Sequence, residues 1–167
     1  MTLADAFLME LDQEAKTTRR VLERVPTDKL AWKPHIKSYS LGQLALHIAQ
    51  MPGVMAGFAA VPVLEMSGGG FVQEEAGSTA QVLSAFEEAL GKARGTLRTL
   101  DDATMMSTWS FKLDGKTLMS MPRMAVVRSM MLNHWYHHRG QLSVYLRELN
   151  VPVPAIYGPS ADENPFA

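Results

Sequence analysis

Three features of the chain predict an all-α fold, specifically a four-helix bundle. Four long stretches repeat apolar residues at three- and four-residue spacing, capping signals stand in front of the second and third, and a long non-periodic crossover joins those two. An extended C-terminal tail follows the fourth stretch. At 167 residues and with no internal repeat, residues 1–167 read as a single domain by length.

The first helix is expected from about Leu3 to Val25, on the stripe Phe7, Leu8, Leu11, Ala15, Thr18, Leu22 and Val25, and Pro26 stops it. In the connection that follows, Pro34 biases Lys33 away from helix; Trp32 is expected to pack on the bundle end and His35 to sit at the loop surface. Ser40 and Gln43 form a capping box, with Tyr39 and Leu44 placed as its hydrophobic staple, so a second helix begins there. Its inward stripe is Leu44, His47, Met51, Met55 and Phe58. Pro52-Gly53 should kink or interrupt it and free the carbonyl near Ile48.

Residues 62–78 form the crossover. Gly68-Gly69-Gly70 within it lacks the preceding strand and the following Gly-Lys-Ser/Thr of a phosphate loop. Ser78 with Gln81 opens a third helix on Val82, Phe86, Leu90, Ala93, Leu97 and Leu100, leaving Lys92, Arg94 and Arg98 on a solvated face. Between residues 101 and 120, Trp109, Phe111 and Leu113 alternate on one side before Asp114-Gly115, which predicts a short hairpin or extended loop. Ser120 is expected to cap the fourth helix, with Pro122 in its first turn and Leu149 near its end. The proline-containing tail, residues 150–167, is expected to lie extended on the surface.

Composition narrows the function. A hydrophobic fraction of 47% with 20% charged residues belongs to a globular chain, not a disordered one. The absence of cysteine excludes disulfides, thiolate metal sites and a cysteine nucleophile, so any metal must be held by nitrogen and oxygen. A net charge of −1 argues against nucleic acid as a partner, because duplex binding needs many cations facing phosphates. No run reaches the length of a membrane span, and acids among the first residues do not suit a signal peptide; a cytoplasmic location is expected.

The chemistry is expected on the fourth helix. At about 100° per residue, Val127, Met131, His134, His138, Gln141, Tyr145 and Leu149 fall on one stripe, so the two histidines point inward together. Four residues apart, they are about 5–6 Å apart at Cβ, within reach of one ion. Two hydrogen-bonded side chains without a metal fit the same spacing, and the HEXXH protease pattern is not met, since Trp135 follows the first histidine. His137 lies on the flank and reads as a packing or interface residue; Trp135 and Tyr136 read as exposed aromatics.

His47, a third inward histidine from another helix, turns the pair into a candidate centre. Three imidazoles leave coordination positions free, as catalytic sites do; a bound water would become a nucleophile, or the ion would polarise a substrate oxygen or hold a thiolate. Gln43, Gln50 and Gln141 lie within a turn and are candidates to orient the ligands from behind. Glu65, Asp162 and Glu163 are loop carboxylates that could reach the mouth.

Several of these motifs together resemble the DinB-like branch of the DinB/YfiT-like metal-dependent superfamily. They are His47 in SLGQLALHIAQ, the run HWYHHRGQLSVYLRELNVPVPAIYGPSADE from His134, and the Trp32–Pro34 loop. The resemblance implies an up-down-down-up bundle, often a homodimer, with a divalent ion, nickel or zinc, on His47, His134 and His138. It further implies a small-molecule substrate, with thiol-dependent S-transfer using a low-molecular-weight thiol, hydrolysis or isomerisation as the chemistry. A non-catalytic, stress-associated protein whose ion merely ties two helices is the competing reading.

Overall fold

Helix α1 (Leu3–Leu22) starts at a reciprocal capping box between Thr2 and Asp5 and buries Phe7, Leu11, Ala15 and Leu22. It ends before the expected Val25, at a Glu23 cap, although Val25 still packs into the core. The structure, a computed structural model, describes residues 1–68 and 72–167. After a short 3₁₀ turn (Thr27–Lys29), Trp32 meets Tyr145 edge to face at 5.5 Å, and His35 is exposed with its Nδ1 accepting from the Lys37 amide.

Helix α2 (Leu41–Ala60) opens on the expected Ser40–Gln43 capping box and runs through Pro52 without interruption. Strand β1 (Val63–Met66) follows, then helix α3 (Thr79–Leu97), capped by Ser78 and buried along Val82, Phe86, Leu90 and Ala93. A Cβ on Gly53 would lie 3.0 Å from the backbone of Ala89, so a hydrogen at position 53 is what lets α2 and α3 pack this closely. The triple-glycine reading falls on residues of which two lie outside the described ones.

A short helix α4 (Asp102–Met106) leads into strands β2 (Thr108–Leu113) and β3 (Lys116–Pro122). Their turn has positive φ at both Asp114 (48°) and Gly115 (76°), the pattern of a two-residue hairpin whose twist matches the strands. Trp109 is fully buried, Phe111 half-buried and Leu113 at the rim. The all-α expectation is corrected here. The protein is mostly helical with a three-stranded sheet in the order β1-β2-β3, in which β1 runs parallel to β2. Four residues of alternating partial exposure give β1 almost no local signal, and its pairing depends on a strand more than forty residues away.

The fourth helix also departs from expectation. Ser120 belongs to β3 and caps nothing; the helical segment starts after Pro122 with α5 (Arg123–Ala125), continues as a π-helical stretch (Val126–Asn133) and becomes α6 (His134–Glu148). The wider π turns break a count made at a constant helical angle. The buried face of α6 is therefore Trp135, Arg139, Leu142 and Leu146, with His134 and His138 at its half-buried edge and Gln141 exposed. Trp135 is fully buried rather than exposed. Tyr136 is half-buried, its hydroxyl donating to Glu10 Oε1 at 2.8 Å, so neither offers a docking surface.

The tail is anchored more firmly than a surface strand. Val153 and Ala155 are buried, with their amides donating to Asp162 and Glu163, which also pair with Arg147 and Arg20. Tyr157 bonds both members of the buried Arg139–Glu14 ion pair, tying the tail to α1 and α6. The two tail carboxylates thus fasten the tail itself. Glu65 lies in β1, in register with Lys112. Among the described residues no helix is long and apolar enough to cross a membrane.

Pro52 cannot donate to the Ile48 carbonyl, and the structure shows what takes that role: the indole Nε1 of Trp135 donates to Ile48 O at 2.9 Å, fully buried. Trp135→Phe leaves this carbonyl without a donor and is expected to cost about 1–3 kcal/mol in denaturant unfolding. In a Pro52→Ala background the backbone amide restored at that position supplies the donor, so the same replacement should cost less. Equal costs in both backgrounds would contradict the assignment.

Candidate metal centre

The Ile48–Trp135 hydrogen bond fixes α2 against α6 at the positions that follow His47 and His134 in the chain. His138 is one turn further along α6. The three rings meet, with centroids 5.5 Å apart for His47–His134, 4.6 Å for His47–His138 and 4.5 Å for His134–His138. One nitrogen from each lies within 4.8 Å of the other two. Among the described residues no other three His, Asp or Glu side chains gather this closely.

Each ring is oriented from behind. Gln141 Oε1 lies 2.7 Å from His138 Nδ1, and since a carboxamide oxygen only accepts, that Nδ1 donates and leaves a lone pair on Nε2. Gln73 Oε1 accepts a hydrogen bond from His47 Nδ1 at 3.0 Å in the same way. The amide of Gln73 is itself oriented, because its Nε2 donates toward Gln50 Oε1 and the Glu74 carbonyl. His134 hydrogen-bonds the Met130 backbone, and its Nε2 is 2.7 Å from His138 Nε2. Two imidazole nitrogens that close need a shared proton or a shared cation between them. Such a donor set, neutral nitrogens with their outer N–H groups held by acceptors, suits a divalent transition metal.

The expected glutamines are all nearby, but their roles differ. Only Gln141 touches a histidine directly; Gln43 holds the Gln73 carbonyl with its Nε2 at 3.1 Å, and Gln50 braces the Gln73 amide. Gln73 itself is absent from the sequence reading. It sits in the crossover, brought in by Glu75, whose carboxylate accepts from Ser40 Oγ at 2.6 and 2.7 Å and occupies the space a Cβ on Gly42 would need. The polar Gln73-Glu74-Glu75 run before Ser78 was its one signal in the sequence. His137 is exposed, edge-on to His138 at 5.0 Å, and lies outside the cluster.

A cavity of about 250 Å³ opens beside the rings, walled by His47 and His134 and by Met51, Met55, Phe58 and Met66. No carboxylate lines it among the described residues, and Glu65, Asp162 and Glu163 are therefore not part of its wall. Burial is the main reason all three imidazoles resist protonation. His138 is pushed down to about 4, with the nearby imidazoles adding to the burial and the Gln141 hydrogen bond opposing it. His47 and His134 are lowered as well, again chiefly by burial, against the Gln73 and Met130 hydrogen bonds.

A mostly helical fold with three buried-edge imidazoles converging on one point defines a class: proteins with a candidate histidine metal centre between two helices. The chain belongs to the DinB family, whose sequence profile matches residues 1–165. It is 28% identical over 164 residues to the uncharacterized protein YrdA of Bacillus subtilis (strain 168), covering 95% of this chain and 90% of that protein. The fold is similar to that of a DinB-like protein from Bacillus cereus ATCC 10987, at a TM-score of 0.72 and 21% identity, covering 92% of this chain and 97% of the other. It is also similar to the DinB-like protein YjoA of Bacillus subtilis, at 0.66 and 19%, covering 88% and 95%.

The lowered His138 pKa fixes the sign of a pH effect. Between about 6.5 and about 4 the unfolded chain binds a proton there that the native one does not, so stability is fully present above 6.5 and is lost as pH falls toward 4. Chelator-treated protein should show a falling denaturation midpoint from pH 7 to pH 5, with a shallower fall in His138→Gln. A midpoint that stays flat across that range, or an unchanged slope in the variant, would contradict the burial argument.

Proposed function

We propose that His47, His134 and His138 hold one divalent ion, nickel or zinc, and that the protein is a metal-dependent enzyme of thiol-dependent S-transfer or hydrolysis. The convergence of three imidazoles, two with Nδ1 committed to a glutamine oxygen, carries this reading. When bound, such an ion supplies Lewis acidity to a substrate oxygen or holds a thiolate. The side chains do the rest. Gln73 and Gln141 hold two rings in the tautomer that turns Nε2 inward, and the Met-rich wall makes the neighbouring space mostly apolar.

A small-molecule substrate, with a low-molecular-weight thiol as one reactant, belongs to the same proposal. The homodimer and the up-down-down-up bundle order follow the family likeness, and a cytoplasmic location belongs to the same proposal. One observation favours the competing reading, in which the ion only ties α2 to α6: among the described residues the cavity wall contains no carboxylate to act as a base. The two readings differ in coordination, since an enzyme keeps positions open toward the cavity and a structural site is closed by a fourth protein ligand.

His138→Ala is expected to weaken metal binding at least about tenfold, and Gln73→Leu, which only frees the His47 ring, by about 10–100-fold. Elemental analysis with competitive chelator titration measures both, and unchanged stoichiometry and affinity in His138→Ala would refute the ligand set. Metal-loaded protein screened against several thiols paired with electrophiles, and against esters and amides, separates transferase from hydrolase. Metal-dependent turnover that disappears in His138→Ala is the expected result; a fully loaded protein inert to every pair would favour the structural ion.

A further inference from the structure

The cavity beside the histidines is chemically one-sided. Besides its methionines and Phe58 it is lined by Val54, the two imidazole edges and the carboxamides of Gln50 and Gln73; among the described residues no Asp, Glu, Lys or Arg lines it. The Gln73 carboxamide is committed at both ends, its oxygen to His47 and its nitrogen to Gln50 and Glu74. Gln50 spends only its oxygen on Gln73, and among the described residues its Nε2 has no protein acceptor. The wall therefore keeps one good hydrogen-bond donor to spare, on an otherwise apolar surface.

Size and polarity together select a ligand. A dry apolar cavity of about 150 Å³ suffices for benzene, so about 250 Å³ holds a substituted ring or a branched chain of similar bulk. In the metal-free protein a charged ligand entering the same space would leave water without a counter-charge, at a cost of several kcal/mol. We propose that this cavity binds the apolar body of an uncharged small molecule, with an oxygen of that molecule accepting a hydrogen bond from Gln50 Nε2. The assignment deepens the metal-centre reading by naming the substrate class of the same site, and rests on it for which end of the molecule faces the histidines. A thiolate reactant then belongs at the ion and not in the cavity, whose wall among the described residues carries no charge to compensate it.

Benzyl alcohol, toluene, benzoate and benzylammonium share a ring and differ in polarity and charge, so they serve as probes. ¹⁵N–¹H chemical-shift titration at pH 7 follows each of them in chelator-stripped protein and again after loading with zinc. In stripped protein benzyl alcohol is expected to bind at least tenfold more tightly than either ion and to shift the Gln50 side-chain amide signals. Gln50→Met should weaken benzyl alcohol about 3–10-fold while leaving toluene unchanged. Val54→Phe should abolish binding of both by filling the space, and the milder Val54→Met, with circular dichroism confirming the fold, should weaken it.

Stripped protein separates the two ideas. Failure to take up zinc, with the order of affinities intact, counts against the metal and not against the cavity. Binding of benzoate or benzylammonium as tight as that of benzyl alcohol, binding of none of the four, or full affinity in both Val54 variants would overturn the proposal.

Discussion

The buried hydrogen bond from Trp135 Nε1 to the Ile48 carbonyl is the constraint on which the centre depends. A proline inside α2 removes the amide that would normally occupy that carbonyl, and a large indole from α6 takes its place. The exchange converts a helix defect into an interhelical fastening whose geometry is fixed by direction and by packing at once. Because His47 precedes Ile48 and His134 precedes Trp135, fixing that pair also fixes two of the three imidazoles. The third follows from the helical spacing of His134 and His138.

Orientation comes from a second layer, in the crossover between α2 and α3. Glu75 fastens that segment to Ser40 at the start of α2, Gln43 holds its Gln73 carbonyl, and the Gln73 side chain then reaches His47. Ser40 and Gln43 serve double duty, capping the helix and fastening the segment that orients a ring on its second turn. Burial and hydrogen bonding act in opposite directions on the imidazoles, with burial the larger, so they are neutral and available to a cation at neutral pH.

Much of this was legible in the sequence. The capping box at Ser40 and the cap at Ser78 begin helices where expected, though Gln81 turns back to the Gly77 amide and not to that of Ser78. Asp114-Gly115 turns a hairpin, and Pro52 frees the Ile48 carbonyl. The three histidines were recognisable as a set, although the buried stripe assigned to the fourth helix was rotated away from the true one, which runs through Trp135 and Arg139. A π-helical stretch leaves no mark on a pattern counted at constant angle, and that is why the stripe drifted. Strand β1, the Gln73 contact and the Tyr157 anchor in the tail were not legible, for one shared reason. Each depends on a partner distant in the chain and carries little local preference of its own.

Whether imidazoles from α2 and α6 share one ion is tested most directly by metal-edge X-ray absorption on protein loaded with a single equivalent of nickel or zinc. Three imidazole nitrogens at about 2.0–2.1 Å, with the characteristic outer-ring scattering and remaining positions filled by solvent oxygen, are the predicted first shell. A shell with fewer than two imidazoles, or one dominated by carboxylate oxygen, would contradict it.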